Sequence, residues 1–298
     1  SFSVLSAGSL HTCGIARSGE AYCWGRGGLL GNGALTSGSA GPVAGLGEWH
    51  FTTLSTSGFH TCALTSSGAA YCWGDNRGGV LGDGTTDPGL GPVAVVAGFV
   101  FASLSTGTFH TCGLTSGGAA YCWGINYRGQ LGDGTTTHRN GPVAVRSDLR
   151  FTSVSAGGQH SCGLTNSGAA YCWGSNRTGQ LGDGTRISRN KPVQIGTDAR
   201  WRFVSAGRMH TVAIRTDGTL WAWGWNDMGQ LGIGSTRESP VPVQVGNDTD
   251  WRSAAVGADH TVAIKTDGTL WAWGSNHSGE LGDGTTRSSD IPVQIATD

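Results

Sequence analysis

The chain has 298 residues, with 19 basic and 20 acidic side chains, and only 13% of its residues are charged. That length allows one large core or two ordinary domains, and near-neutral charge without a basic stripe argues against a nucleic-acid partner. No run of 18 apolar residues exists, so no helical segment inserts in a membrane.

Glycine is abundant and has no Gly-x-y period, which points to many short strands and tight turns rather than collagen. Taken in chain order, the sequence repeats one pattern six times. The units begin at Phe2, Phe51, Phe101, Phe151, Trp201 and Trp251 and cover 2–50, 51–100, 101–150, 151–200, 201–250 and 251–298. Each opens with a strand that ends in Ser-Ala-Gly or a close variant, such as Ser205-Ala206-Gly207. A His-Thr/Ser-Cys/Val start to a second strand follows, then a turn such as Thr65-Ser66-Ser67-Gly68. A third strand ends in Trp-Gly. After it come a polar loop, a segment such as Gln130-Leu131-Gly132-Asp133-Gly134, and a late Pro-Val, as at Pro142-Val143. Short strands bounded by glycine, with no helical period, predict four strands per unit. A unit of that length describes a propeller blade. A solenoid needs atypical end caps, and here the outer units look like the inner ones. The expectation is therefore an all-β, six-bladed β-propeller in one domain, 1–298, or a seven-bladed one if a unit is missing.

The motifs SAGxxHT and WGxNxxGQLG and the late proline resemble the repeats of the regulator of chromosome condensation superfamily, over essentially the whole chain. The resemblance implies a propeller of four-stranded blades, typically seven. The family contains nucleotide-exchange factors for small GTPases and a secreted bacterial inhibitor of β-lactamases.

Eight cysteines fall in four pairs, each ten residues apart: Cys13 and Cys23, Cys62 and Cys72, Cys112 and Cys122, Cys162 and Cys172. A hairpin centred near Ser67 puts Cys62 opposite Cys72, within disulfide range. Val212 and Ala222 replace the pair in the fifth unit, and Val262 and Ala272 in the sixth, so both members are lost together. One bridge per blade is the expectation, against buried free thiols or a zinc site, for which the spacing is wrong. Bridges imply an oxidising compartment, hence a secreted or cell-surface protein, in which a nucleotide-exchange role is not expected.

The recurring His11, His60, His110, His160, His210 and His260 read as turn locks bonded to nearby backbone. Asp83, Asp133, Asp183 and Asp283 read as Asx turns rather than calcium ligands. Trp24, Trp73, Trp123, Trp173, Trp223 and Trp273 read as packing residues with locally bonded indoles. The sequence lacks G-x-S-x-G, H-E-x-x-H and a phosphate loop, so no catalytic residue, metal ligand or cofactor is assigned.

Function is sought where the copies differ. Antiparallel alternation puts the loops after the first and third strands on one side of each blade. There the units vary, and the candidate ligand-binding residues are Phe109, Tyr127, Arg128, Arg208, Met209 and Trp225. Aromatics, arginine and methionine are the composition of a recognition surface. The expectation is a secreted or cell-surface module that binds a protein or a carbohydrate through this face. A hydrolase or lyase with a site in the axial channel, or a purely structural surface repeat, is the alternative.

Overall fold

The computed structural model describes residues 1–35, 38–45, 49–197 and 200–295. The sixth repeat's assigned end at 298 lies outside them. The described residues form six four-stranded antiparallel sheets, each with its strands in sequence order. The fold class is all-β, a propeller of six blades of about fifty residues. By its contacts the chain divides into two compact units, 1–156 and 157–298.

Blade five shows the pattern. Its strands are Trp201–Ala206, His210–Arg215, Leu220–Gly224 and Ser239–Gln244. The second strand is buried along almost its whole length, while the fourth is partly exposed. The hairpin between second and third strands turns at Gly218, whose positive φ of 83° only glycine adopts without strain. The fourth strand pairs with a register shift between Ala222 and Gly224. That bulge recurs in each of the other five blades.

The core of each unit lies between successive blades. In the first unit, Cys13, Ile15, Cys23 and Leu30 of blade one pack against Phe51, Ala63 and Trp73 of blade two. In the second unit, Val212, Ile214, Leu220, Ala222 and Leu231 of blade five pack against Trp251, Ala263 and Trp273 of blade six. The opening aromatic and the Trp of the third strand thus serve the preceding blade.

All four cysteine pairs form disulfides, with Cα atoms 4.1 Å apart. Each bridge joins directly opposed residues on the second and third strands, as the spacing predicts. Where the bridge is missing, Val212 stands opposite Ala222 and Val262 opposite Ala272 in the same register.

Each of these two blades carries a cation at the start of its second hairpin, and that cation packs on indoles rather than standing free in solvent. Arg215 lies 3.7 Å from the Trp221 ring centre and 5.1 Å from that of Trp201. Lys265 lies 4.8 Å from Trp271 and 5.0 Å from Trp251, and pairs with Asp248 at 2.7 Å. A cation over an indole face is attracted by the ring quadrupole. In blades two and three the tyrosine at the Trp221 position meets a further ring. Trp49 lies 4.1 Å from Tyr71, and Phe99 4.9 Å from Tyr121.

Candidate functional site

The loops after the first and third strands meet on one side of each blade, joined by a backbone hydrogen bond. The N–H of Arg26 donates to the carbonyl of Leu10, that of Ile125 to Phe109, and that of Trp225 to Met209, each at 2.9 Å. The expected sharing of one side is therefore seen blade by blade.

In the second unit this meeting point brings three candidates together. The Arg208 guanidinium lies 5.2 Å above the Trp225 ring, and its Nη2 is 3.0 Å from Oδ1 of Asp259 on the next blade. The Met209 carbonyl accepts from the Trp225 N–H, and Thr178 Oγ1 lies 3.2 Å from that carbonyl. Thr178 in turn donates to Gln180 Oε1 at 2.8 Å. Arg208 is exposed, while Met209 and Trp225 are half-buried. The result is an indole held in one orientation, with a guanidinium over one face and that cation balanced by a carboxylate. Such a group presents contact area with little left to order on binding.

In the first unit the other three candidates lie apart from any such cluster. Phe109 is half-buried beneath the loop. Tyr127 is 69% exposed and meets the edge of the His138 ring at 4.2 Å. His138 Nδ1 accepts from the Asn126 N–H at 2.9 Å, which fixes the imidazole. Arg128 is half-buried, and its backbone N–H donates to Gln130 Oε1 at 3.0 Å. Nearby on blade two, Arg77 sits 5.9 Å over Phe59 and pairs with Asp75 at 2.6 Å.

The recurring polar residues are structural, though their partners differ from those expected. His60 does lock its own turn, through a side chain: its Nδ1 bonds Ser57 Oγ at 3.0 Å. The Nε2 atoms reach further. His11 Nε2 bonds Thr61 Oγ1 at 2.7 Å, His60 bonds Thr111 at 2.8 Å, and His210 bonds Thr261 at 3.1 Å, each on the following blade. Indoles, too, reach beyond their own blade. Trp123 Nε1 donates to the Val80 carbonyl at 2.9 Å, and Trp223 to that of Gln180 at 2.9 Å, on the preceding blade. Burial lowers the pKa of His11 to about 4 and of His60, His110 and His210 to about 3, so these rings are neutral in ordinary buffers.

Asp133 forms the expected Asx turn, accepting from the Thr135 N–H at 2.9 Å, and also pairs with Arg139 at 2.9 Å. Burial alone raises its pKa, but the bonds from Thr135 and Arg139 outweigh it and hold the carboxyl low. The sequence reading passed over Asn126, whose Oδ1 accepts from the Leu131 N–H at 3.0 Å while its amide reaches Asp133 at 3.2 Å. Among the described residues no three His, Cys, Asp or Glu side chains converge on a point where a metal ion could sit. No helix among them is long and apolar enough to cross a membrane.

A family model of the RCC1-like domain matches residues 1–297. No curated protein matches. Among solved structures, human WBSCR16 superposes with a TM-score of 0.90 at 19% identity, over 100% of this chain and 82% of that one. Yeast RCC1 (Prp20) bound to Kap60 matches with a TM-score of 0.85 at 24% identity, over 98% of this chain and 74% of that one. Prp20p from Saccharomyces cerevisiae, described with its binding to Gsp1p and histones, matches equally at 0.85 and 24%, over 98% and 76%. At these identities the likeness carries the fold.

These neighbours overturn the expected secreted or cell-surface setting. Prp20 is described bound to Kap60 and with its binding to Gsp1p and histones. The inference from cysteines to compartment fails for a physical reason. Strand register holds each pair 4.1 Å apart by Cα, so bridging needs only an oxidant and marks no location by itself.

Proposed function

The chain belongs to the RCC1-like domain family, and on that premise we propose that it is a protein-recognition module. Its principal contact is the loop cluster of Arg208, Met209 and Trp225. The observation that carries this reading is the Arg208–Trp225 stack with Asp259 behind it: an aromatic anchor oriented before any partner arrives. Tryptophan and arginine dominate the energetics of protein interfaces. Phe109, Tyr127 and Arg128 form a separate contact set on the loops of the first unit.

A protein partner is favoured over a carbohydrate. Sugar rings stack on open indole faces, and one face of Trp225 is taken by Arg208. The protein partners of Prp20 point the same way. Because Arg208 is already balanced by Asp259, recognition rests on the indole and the thioether more than on net charge. The ground for setting aside nucleotide exchange was the extracellular setting, and it falls with that setting.

The experiment is a titration of the purified chain against a Gsp1p-type GTPase, core histones and a glycan panel, with nucleotide release followed for the GTPase. Saturable binding to a protein that Trp225→Ala weakens at least about tenfold supports the reading. Binding confined to glycans, or protein binding untouched by Trp225→Ala, contradicts it.

A further inference from the structure

Between successive blades, one carbonyl of the loop after the third strand collects two donors from the following blade. The Val80 carbonyl accepts from Trp123 Nε1 and from Thr111 Oγ1, each at 2.9 Å. In the second unit, the Gln180 carbonyl accepts from Trp223 Nε1 at 2.9 Å and from Thr211 Oγ1 at 2.8 Å. Blade one departs from this pattern. Its segment from Trp24 to Gly31 is two residues shorter than that from Trp73 to Gly82, and Leu29 stands where Val80 does. Neither donor serves that carbonyl. Trp73 Nε1 is buried without a partner, and Thr61 Oγ1 turns to Cys13 Sγ at 3.6 Å. A bridged sulfur has no proton, so the hydroxyl is the donor. The neutral His11 ring then donates from Nε2 to the same hydroxyl at 2.7 Å.

Beside this bridge, between blades one and two, lies a cavity of about 50 Å³. Cys23, Leu30, Phe51 and Trp73 form its buried floor, and Glu20, Ala44 and Trp49 its exposed rim. That space holds a few waters, or the CH2–SH arm of a thiol. Cys23 lines it and Cys13 does not. The strand order explains why. Cys23 faces Cys13 across one edge of its strand and Val43 across the other, and the cavity lies on the side of Ala44 and Gly45. A nucleophile there meets Cys23 Sγ from the side away from Cys13, in line with the S–S bond.

We propose that Cys13–Cys23 is a thiol-exchange site, at which a low-molecular-weight thiol of the glutathione class adds to Cys23. The thiolate attacks Cys23 Sγ and forms a mixed disulfide; the Cys13–Cys23 bond breaks, and its electron pair leaves on Cys13 Sγ. A second thiol molecule releases the first as its own disulfide. The two thiols are oxidised, and their two electrons and two protons leave Cys13 and Cys23 as thiols. Thr61 assists the first step. A hydrogen bond to a developing thiolate is stronger than one to a neutral sulfur, and a stabilised leaving thiolate departs faster. At Cys62 and Cys162 the comparable hydroxyls, Thr111 and Thr211, already donate to carbonyls.

The test exposes the intact, oxidised chain to graded reduced glutathione, stops the reaction with acid, and maps each bridge and each glutathionyl adduct by mass spectrometry. Cys13–Cys23 is expected to open at least about tenfold faster than Cys62–Cys72 and Cys162–Cys172, with the adduct on Cys23. Ala44→Phe, at the exposed rim, is expected to slow that opening by narrowing the entry. Thr61→Val is expected to slow it as well. A purely structural role for Thr61 predicts the reverse, since a loosened blade reacts faster. Equal rates at the three bridges, or an adduct on Cys13, overturn the proposal. So does an opening rate that Ala44→Phe leaves unchanged or that Thr61→Val raises.

Discussion

His210 and Thr261, fifty-one residues apart, are joined Nε2 to Oγ1 at 3.1 Å, and that hydroxyl donates onward to the Gln230 carbonyl at 2.9 Å. Because the hydroxyl proton goes to the carbonyl, the imidazole N–H is the donor to Thr261 and the tautomer is set. The histidine thus ties two blades of the second unit through one fully buried threonine.

Removing that hydroxyl leaves a buried N–H without a partner. Thr261→Val is expected to cost about 1–3 kcal/mol, the penalty for stranding a buried polar group. Thr111→Val makes the same test at His60 in the first unit. Midpoints of guanidinium unfolding measure both, and an unchanged midpoint contradicts the role.

Acid should unfold the protein early. The folded-state pKa of His60, His110 and His210 is lowered to about 3 and that of His11 to about 4, against 6.5 for a free ring. In that window the unfolded chain binds more protons than the folded one. Stability is complete above about pH 6.5 and falls with decreasing pH by up to about 1.4 kcal/mol per unit for each such histidine. Asp133 and Asp183, held low by their partners, add a further loss as pH falls from about 3.8 through their folded values. Unfolding free energy against pH checks the onset; a flat profile between pH 6.5 and 5 contradicts it.

Reduction should act unevenly. Each bridge closes a ten-residue separation and is worth about 2–3 kcal/mol in the chain-entropy model. Under a strong reductant, amide hydrogen exchange is expected to speed up in the second and third strands of blades one to four. The same strands of blades five and six, with Val212 opposite Ala222 and Val262 opposite Ala272, should change least. Equal loss of protection in all six contradicts this.

Lys265→Met retains the aliphatic stem between Trp251 and Trp271 but loses the charge beside Asp248 and Asp250. A destabilisation of about 1 kcal/mol is expected. Lys265→Arg should recover part of it, since a guanidinium already serves at Arg215 in blade five. The thermal midpoints of the two variants decide the matter.

The fold was legible in the sequence because each blade repeats its landmarks at an almost fixed interval. The cysteine pairs were legible because hairpin register fixes which residues face each other. Partners were harder to read. The bond from His60 to Thr111 and that from Trp123 to Val80 each cross about one repeat, and attention to the local turn hides a contact made on the neighbouring blade. A signal was present: a Thr or Ser follows every recurring histidine. Arg215 and Lys265 also left a trace, for a cation appears at that position only in the units where Tyr171 gives way to Trp221 and Trp271. Of the candidate contact residues, Arg208 and Trp225 are brought together, because their loops share a backbone hydrogen bond. Their balancing carboxylate, Asp259, comes from the next repeat. The compartment could not be read, since a disulfide reports register and oxidant rather than address.

The most direct measurement is the affinity of the wild type, Trp225→Ala and Trp225→Phe for the first protein partner found, each at low and high salt. The account predicts a loss of at least about tenfold for Trp225→Ala, partial recovery in Trp225→Phe, and little change with salt because Asp259 balances Arg208. Equal affinities for all three proteins would contradict it.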